Sequence, residues 1–239
     1  NWSTLAGMSL LSPLLRADPA SPRLTVYNDA RGTRMEFSGQ TLENWASKVA
    51  NLLDEEFELE DDSSVLIDLP VSWQATVIAL GTYNSSRIPR FDGSNFDGPS
   101  FDGPTHNPTV VFTSLAGADT WNGIPECDCV VVSDDAFGRG VVEAGGALPP
   151  GTIDFGPTVR FYGDQYFGES PELSTFARDE LGAERYLVPH WSTTDEFEHA
   201  VLAPLAAGGS VVVAAGLVST NRMNEIAQIE KVTRFLTAG

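Results

Sequence analysis

Leu202-Ala203-Pro204-Leu205-Ala206-Ala207-Gly208-Gly209-Ser210-Val211-Val212-Val213 takes a helix directly into a strand. Apolar spacing predicts the helix over 197–206, the glycine pair breaks it, and β-branched residues predict a strand over 211–215. Toward the C-terminus, Ile226, Ile229 and Val232 fall in phase for a helix over 223–236. In the other direction, a strand over 186–188 is closed by Pro189, and a helix over 173–181 ends at Gly182. Before these come a strand over 159–162 and a connection over 145–156 rich in glycine and proline.

The first half continues the alternation. Residues 109–112 and 129–132 read as buried strands, with a short helix in the polar segment between them. A helix over 73–83 carries Val77, Ile78 and Leu80 on its apolar side, and a strand over 65–69 is stopped by Pro70. Leu42, Trp45, Val49, Leu52 and Leu53 predict a helix starting at Thr41, its candidate cap. Extended runs at 24–27 and 34–37 flank Asn28-Asp29-Ala30-Arg31-Gly32 and predict a hairpin. Leu11, Leu14 and Leu15 suit a short amphipathic helix, and the run around them lacks the basic flank of a signal peptide. Strands alternating with helices predict an α/β fold with largely parallel sheets and an N-terminal hairpin. The glycine- and proline-rich connection suggests two subdomains, 1–145 and 146–239.

Composition narrows the partners. With 33 acidic against 14 basic residues, the net charge is −19. Such a surface repels nucleic acid and anionic membranes, which associate through cationic side chains. A small molecule or a protein is the expected partner, and an oligomer is compatible with the sequence. Cys127 and Cys129 are too close in sequence for an easy disulfide, and they lack companions for zinc. Reduced cysteines fit a cytoplasmic protein. His106, His190 and His199 are scattered, so no metal site or cofactor is expected. Phe91-Asp92-Gly93, Phe96-Asp97-Gly98 and Phe101-Asp102-Gly103 repeat every five residues in an insertion over about 90–105. Calcium could use such aspartates, but the spacing is not that of a calcium loop, and the phenylalanines read as pins for a long loop.

Arg34-Met35-Glu36-Phe37-Ser38, the helix through Ala50-Asn51-Leu52-Leu53, the strand at Val65 and the helix ending near Gly81 and Pro89 resemble a known series. They are similar to the start of the N-terminal domain of adenylate-forming enzymes, the acyl-CoA synthetases, adenylation domains and luciferases. The opening Leu202–Val213 stretch is similar to that family's helix-to-strand segment, and Glu230-Lys231-Val232-Thr233 to the run closing its next helix. Ala17-Asp18-Pro19-Ala20, Thr41-Leu42-Glu43-Asn44-Trp45 and Lys48-Val49-Ala50-Asn51 resemble a group of short actinobacterial proteins of unassigned function. That second resemblance spans nearly the whole chain apart from the Phe-Asp-Gly repeat.

The resemblance implies ATP-dependent adenylation, and the residues argue against it. That chemistry uses a Thr-Ser-Gly-Thr-Thr-Gly-x-Pro-Lys-Gly loop, whose amides and lysine offset phosphate charge. Here Phe112-Thr113-Ser114 is followed by Leu115-Ala116-Gly117, and the chain has two lysines only, Lys48 and Lys231. Neither the family's tyrosine-glycine-x-threonine-glutamate run nor a second domain with its own lysine occurs within these 239 residues. A truncated, catalytically inactive relative that binds a ligand or a protein is the first expectation. Its candidate site is His190, Trp191, Thr193 and Asp195, placed where the resemblance implies an aromatic-histidine segment beside the acyl pocket. The plainer reading makes Ser192 or Thr193 a helix cap, Trp191 a core residue and His190 a solvated side chain. The alternative function is an enzyme with a diverged site using His190 or Asp195 on an acyl or nucleotide substrate. Docking onto a complete synthetase is a third possibility and predicts an exposed apolar patch.

Overall fold

The computed structural model describes residues 8–57, 59–60, 63–91, 107–188 and 190–236. Its first elements are α1 (Ser12–Ala17), β1 (Pro22–Asn28), β2 (Thr33–Ser38), α2 (Gly39–Glu55), β3 (Val65–Asp68) and α3 (Trp73–Asn84). Then come β4 (Pro89–Arg90), β5 (Val110–Ser114), α4 (Ala118–Trp121), β6 (Asp128–Val132), β7 (Ile153–Asp154) and α5 (Phe155–Val159). The last are β8 (Arg185–Val188), α6 (Thr194–Phe197), α7 (Ala203–Ala206), β9 (Ser210–Ala215), α8 (Thr220–Ile229) and β10 (Arg234–Phe235). A π-helical stretch, Glu198–Leu202, joins α6 to α7.

The strands form two five-stranded sheets, ordered β10-β8-β9-β1-β2 and β4-β3-β5-β6-β7. Their pairings are parallel except for the β1–β2 hairpin. Both faces of each sheet are covered, which is why the strands read as unbroken apolar runs. Val65 and Ile67 face a core shared with α2, α3 and the other sheet, while Leu66 faces Trp121 and Ile124 on the far side. In the first sheet Val211 and Val213 face the shared core, and Val212 and Ala214 pack with Ile226 and Ala227 of α8. The two central helices therefore lie between the sheets, with further helices outside. Each sheet takes strands from both sides of residue 145, so the suggested 1–145/146–239 division is not the division between sheets.

Position between two sheets explains α3. Every residue from Trp73 to Asn84 is buried, where the sequence indicates one apolar side. A helix apolar all round belongs inside a protein. Gly81 lets α2 and α3 touch: a Cβ there would stand 2.3 Å from the Val49 Cβ and 2.9 Å from the Ala46 carbonyl oxygen.

Several expectations change. The cap of α2 is Ser38, whose hydroxyl accepts from the Thr41 amide, so Thr41 lies in the first turn. The strand expected at 159–162 is instead the end of α5 and a turn, and the pairing residues are Ile153 and Asp154, opposite Val130 and Val131. Residues 173–181 form only a 3-10 turn, Leu173–Phe176, because Ala177 is already extended and no hydroxyl caps the start. Helix α8 stops at Ile229 rather than 236. Lys231 takes φ +53°, and Arg234–Phe235 pair with Tyr186 and Leu187 of β8. Of the Phe-Asp-Gly repeat only Phe91 is described; it packs on Phe197 at 5.2 Å, and the aspartates and His106 lie outside the described residues. Cys127 and Cys129 are both free.

Candidate functional site

Parallel strands of both sheets deliver their carboxyl ends to one edge, where open α/β folds bind ligands. There β3 runs into Leu69–Ser72, β6 into Ser133–Asp134, β1 into the hairpin turn and β9 into Gly216–Leu217. Between these segments lies a cavity of about 290 Å³. Its apolar walls include Val26, Met35, Leu69, Val71, Trp73 and Leu217. A more open hollow of about 670 Å³ adjoins it, sharing Pro70, Ser114, Val132, Ser133 and Asp134.

Several of the polar wall groups are engaged within the protein. Ser72 caps α3 by accepting from the Ala75 amide at 3.1 Å. Gln74 Nε2 donates to the Ser133 and Asp135 carbonyls at 3.3 and 2.8 Å, tying α3 to the segment after β6. The Ser133 hydroxyl donates to the Arg139 carbonyl. Asp29 accepts from Arg222 Nε and Nη2 at 2.8 and 3.1 Å, and those hydrogen bonds hold its carboxyl below the usual range. Asp134 pairs with Arg31, bridging the hairpin turn of one sheet to the other. Trp73 is 5% exposed, and its indole N–H is buried without an acceptor. Its ring lies against Phe37 and Trp45, and Gly138, at φ +73°, passes so close that a Cβ would stand 3.0 Å from its Cη2.

The described wall of the smaller cavity has no lysine, arginine or histidine, while Arg31 lines the adjoining hollow. Lys48 Nζ donates to the Tyr162 carbonyl at 2.7 Å, and Lys231 follows α8 away from the cavity wall. Thr113-Ser114-Leu115-Ala116-Gly117 makes a tight turn, with the Gly117 amide donating to the Ser114 carbonyl at 3.0 Å. Thr113 Oγ1 and Trp121 Nε1 both donate to Asp68 Oδ2, at 3.4 and 2.7 Å.

His190, Trp191, Thr193 and Asp195 sit after β8, and none of them lines the cavity. His190 and Asp195 are exposed. Trp191 is 5% exposed and meets Phe197 edge-on at 5.3 Å. Thr193 caps α6 by accepting from the Glu196 amide. Ser192 closes the same turn: its amide and hydroxyl donate to Glu196 Oε2 at 2.6 and 2.8 Å, the amide chiefly holding that carboxyl low. Sequence reasoning did not single out Trp73, Ser72, Gln74 or Asp29 for a site. The signal available was Pro70-Val71-Ser72-Trp73, a stopped strand followed by a capping serine. Among the described residues no group of three or more His, Cys, Asp or Glu could hold a metal ion.

No family model matches the chain. A TIGR03089 family protein of Mycobacterium tuberculosis (strain ATCC 25618 / H37Rv) is 35% identical over 252 aligned positions, covering 98% of both chains. This chain belongs to that family. The fold is shared with solved acyl-CoA synthetases. The Brucella canis acyl-CoA synthetase matches with TM-score 0.73 and 16% identity over 96% of this chain and 47% of that one. An anthranilate CoA ligase in complex with anthranoyl-AMP matches with TM-score 0.69 and 14% identity, over 96% and 49%. The acetoacetyl-CoA synthetase of Streptomyces lividans gives TM-score 0.69 and 16% identity, over 95% and 42%. The chain thus spans about half the length of the solved structures it matches.

Proposed function

We propose that this TIGR03089 family protein is a small-molecule-binding relative of the adenylate-forming N-terminal domain, and that it forms no adenylate by itself. The observation that carries the reading is the crevice at the common carboxyl edge of both sheets: it is largely apolar, and its described wall offers no cation. Triphosphate binding ahead of carboxylate attack calls for positive charge and convergent donors. In this chain Lys48 is spent on the Tyr162 carbonyl, Lys231 does not line the crevice, and Arg31 and Arg222 face carboxylates. The free cysteines fit a reducing compartment, and the proposal places the protein in the cytoplasm. Its charge of −19 turns it away from nucleic acid and anionic lipid.

A thermal-shift series with ATP·Mg, AMP, acyl-CoAs and small apolar compounds tests this, since a bound ligand stabilises the native state by mass action. Apolar compounds should raise Tm and ATP·Mg should leave it unchanged. A shift of several degrees with ATP·Mg, or pyrophosphate exchange by the purified chain, would end the proposal.

A further inference from the structure

Strand alternation fixes which hairpin side chains meet the crevice; what they ask of a ligand rests on reading the crevice as the ligand site. Successive side chains of a strand point to opposite faces. In β1, Leu24 and Val26 enter the shared core and Tyr27 the outer face, so Asn28 returns to the inner side. In β2, Met35 and Phe37 pack on the same core, which puts Thr33 on that side too. Asn28 and Thr33 pair across the two strands, and both line the cavity half-buried. Directly opposed residues hold their Cβ atoms about 5 Å apart, so one ligand group can span both side chains.

Their hydrogen-bonding capacity is open. Asn28 Oδ1 accepts from the Arg31 amide at 3.2 Å, which closes the turn and leaves Nδ2 as the free end. Among the described residues, neither Asn28 Nδ2 nor the Thr33 hydroxyl has a partner within the protein. The charged groups nearby are closed by contrast. Asp29 faces Arg222, and Asp134 faces Arg31, which lines the adjoining hollow. The open pair is therefore neutral: an amide donor beside a hydroxyl that both donates and accepts. A primary carboxamide complements it, its carbonyl accepting from Asn28 Nδ2 and its N–H donating to Thr33 Oγ1. A carboxylate can accept from both, but it would join Asp29 and Asp134 on a wall without a cation of its own.

We propose that Asn28 and Thr33 form the head-group subsite of the crevice and select a carboxamide. The ligand's apolar body then lies along Val26 and Met35, two residues deeper on the same strands, and across to Leu69 and Val71.

Benzamide, acetophenone and benzoate share a ring and a planar carbonyl. Acetophenone carries a methyl group where benzamide has its NH₂, and benzoate carries a charged oxygen. ¹⁵N–¹H spectra of the whole chain, titrated with each compound, report affinity and place through the crevice amides and the Asn28 side chain. Benzamide should bind about three- to tenfold more tightly than either of the others, the net worth of one hydrogen bond. Thr33→Val keeps a β-branched strand residue and removes the hydroxyl, so benzamide should lose its lead over acetophenone. Asn28→Asp keeps the acceptor for the Arg31 amide and removes the donor, so both neutral compounds should weaken at least about threefold. The comparison of the three compounds uses the unaltered protein, so it holds even where a variant folds poorly. Equal binding of benzamide and acetophenone, or tighter binding of benzoate, overturns the carboxamide assignment and leaves the ligand-site reading intact. A benzamide lead that survives Thr33→Val in a folded protein places the head group elsewhere and overturns it as well. If none of the three disturbs a crevice resonance at millimolar concentration, the ligand-site reading falls and this inference with it.

Discussion

Two places in this molecule concentrate polar groups, and they are built in opposite ways. On the outer face of the first sheet, Glu230 is held by four donors. Tyr27 Oη reaches it at 2.5 Å, Arg34 Nε at 2.7 Å, Arg34 Nη2 at 3.1 Å and Arg185 Nη2 at 2.6 Å. Those partners come from β1, β2 and β8, while Glu230 follows α8, so one carboxylate fastens three strands to a helix end. At the crevice the arginines stand outside and neutralise the acids, leaving an apolar interior. Cations serve as fasteners in the first place and are kept off the wall in the second. In both places the charged side chains are spent on contacts within the protein.

The sharpest way to break that contrast is Glu230→Ala. The carboxylate side chain is 5% exposed, and its loss strands two guanidinium groups. Removing one partner of a buried pair costs about 3–5 kcal/mol, and the 41% exposure of Arg34 lowers the expectation to about 2–3 kcal/mol, read from denaturant unfolding. A cost under about 0.5 kcal/mol would show that the cluster fastens nothing.

Titration sharpens the same point. Hydrogen bonds from Arg34 first, then from Tyr27 and Arg185, lower the Glu230 carboxyl from 4.5 to about 2. Its contribution to stability is full above pH 4.5 and disappears as pH falls through about 2. The stability gap between the wild type and Glu230→Ala should therefore be widest above pH 5 and close as the pH approaches 2. A gap unchanged across that range would mean the carboxylate is not the group being held.

At the crevice, smaller effects are expected. Ser72→Ala removes the α3 cap and should cost about 1 kcal/mol. The loss should appear in denaturant unfolding, because the Ser72 hydroxyl is spent on the Ala75 amide. An unchanged stability would mean that the first amides of α3 are satisfied without the serine.

How much of this was legible follows from the same physics. Strands buried on both faces gave apolar runs, so β3, β5, β6, β8 and β9 were readable one by one. The stretch from 145 to 184 was not, because its elements are two to five residues long and are positioned from elsewhere. Lys48 and Asn51 of α2, for instance, hold the carbonyls of Tyr162, Gly163 and Gln165. No local pattern encodes a contact across more than a hundred residues. The site had the same difficulty. Trp73 looked like any helix residue, Asp29 like a turn former, and Arg222 is its partner from 193 positions away. His190 and Trp191 stood out as residue types, yet type alone does not say which strand end opens onto a cavity.

The smallest effect belongs to the bridge across the crevice mouth. Arg31 and Asp134 are 55% and 66% exposed, and solvent screens such a pair. Arg31→Ala should change stability by less than about 0.5 kcal/mol. Its effect should appear in selectivity instead. Without the guanidinium, Asp134 is an unbalanced carboxylate on the crevice wall, so of two ring probes the cation benzylamine should gain on neutral benzamide, more at low salt than at high. If Arg31→Ala leaves the ratio of the two affinities unchanged at low ionic strength, charge balance at Asp134 does not set what the crevice admits. The selectivity would then rest on the apolar walls.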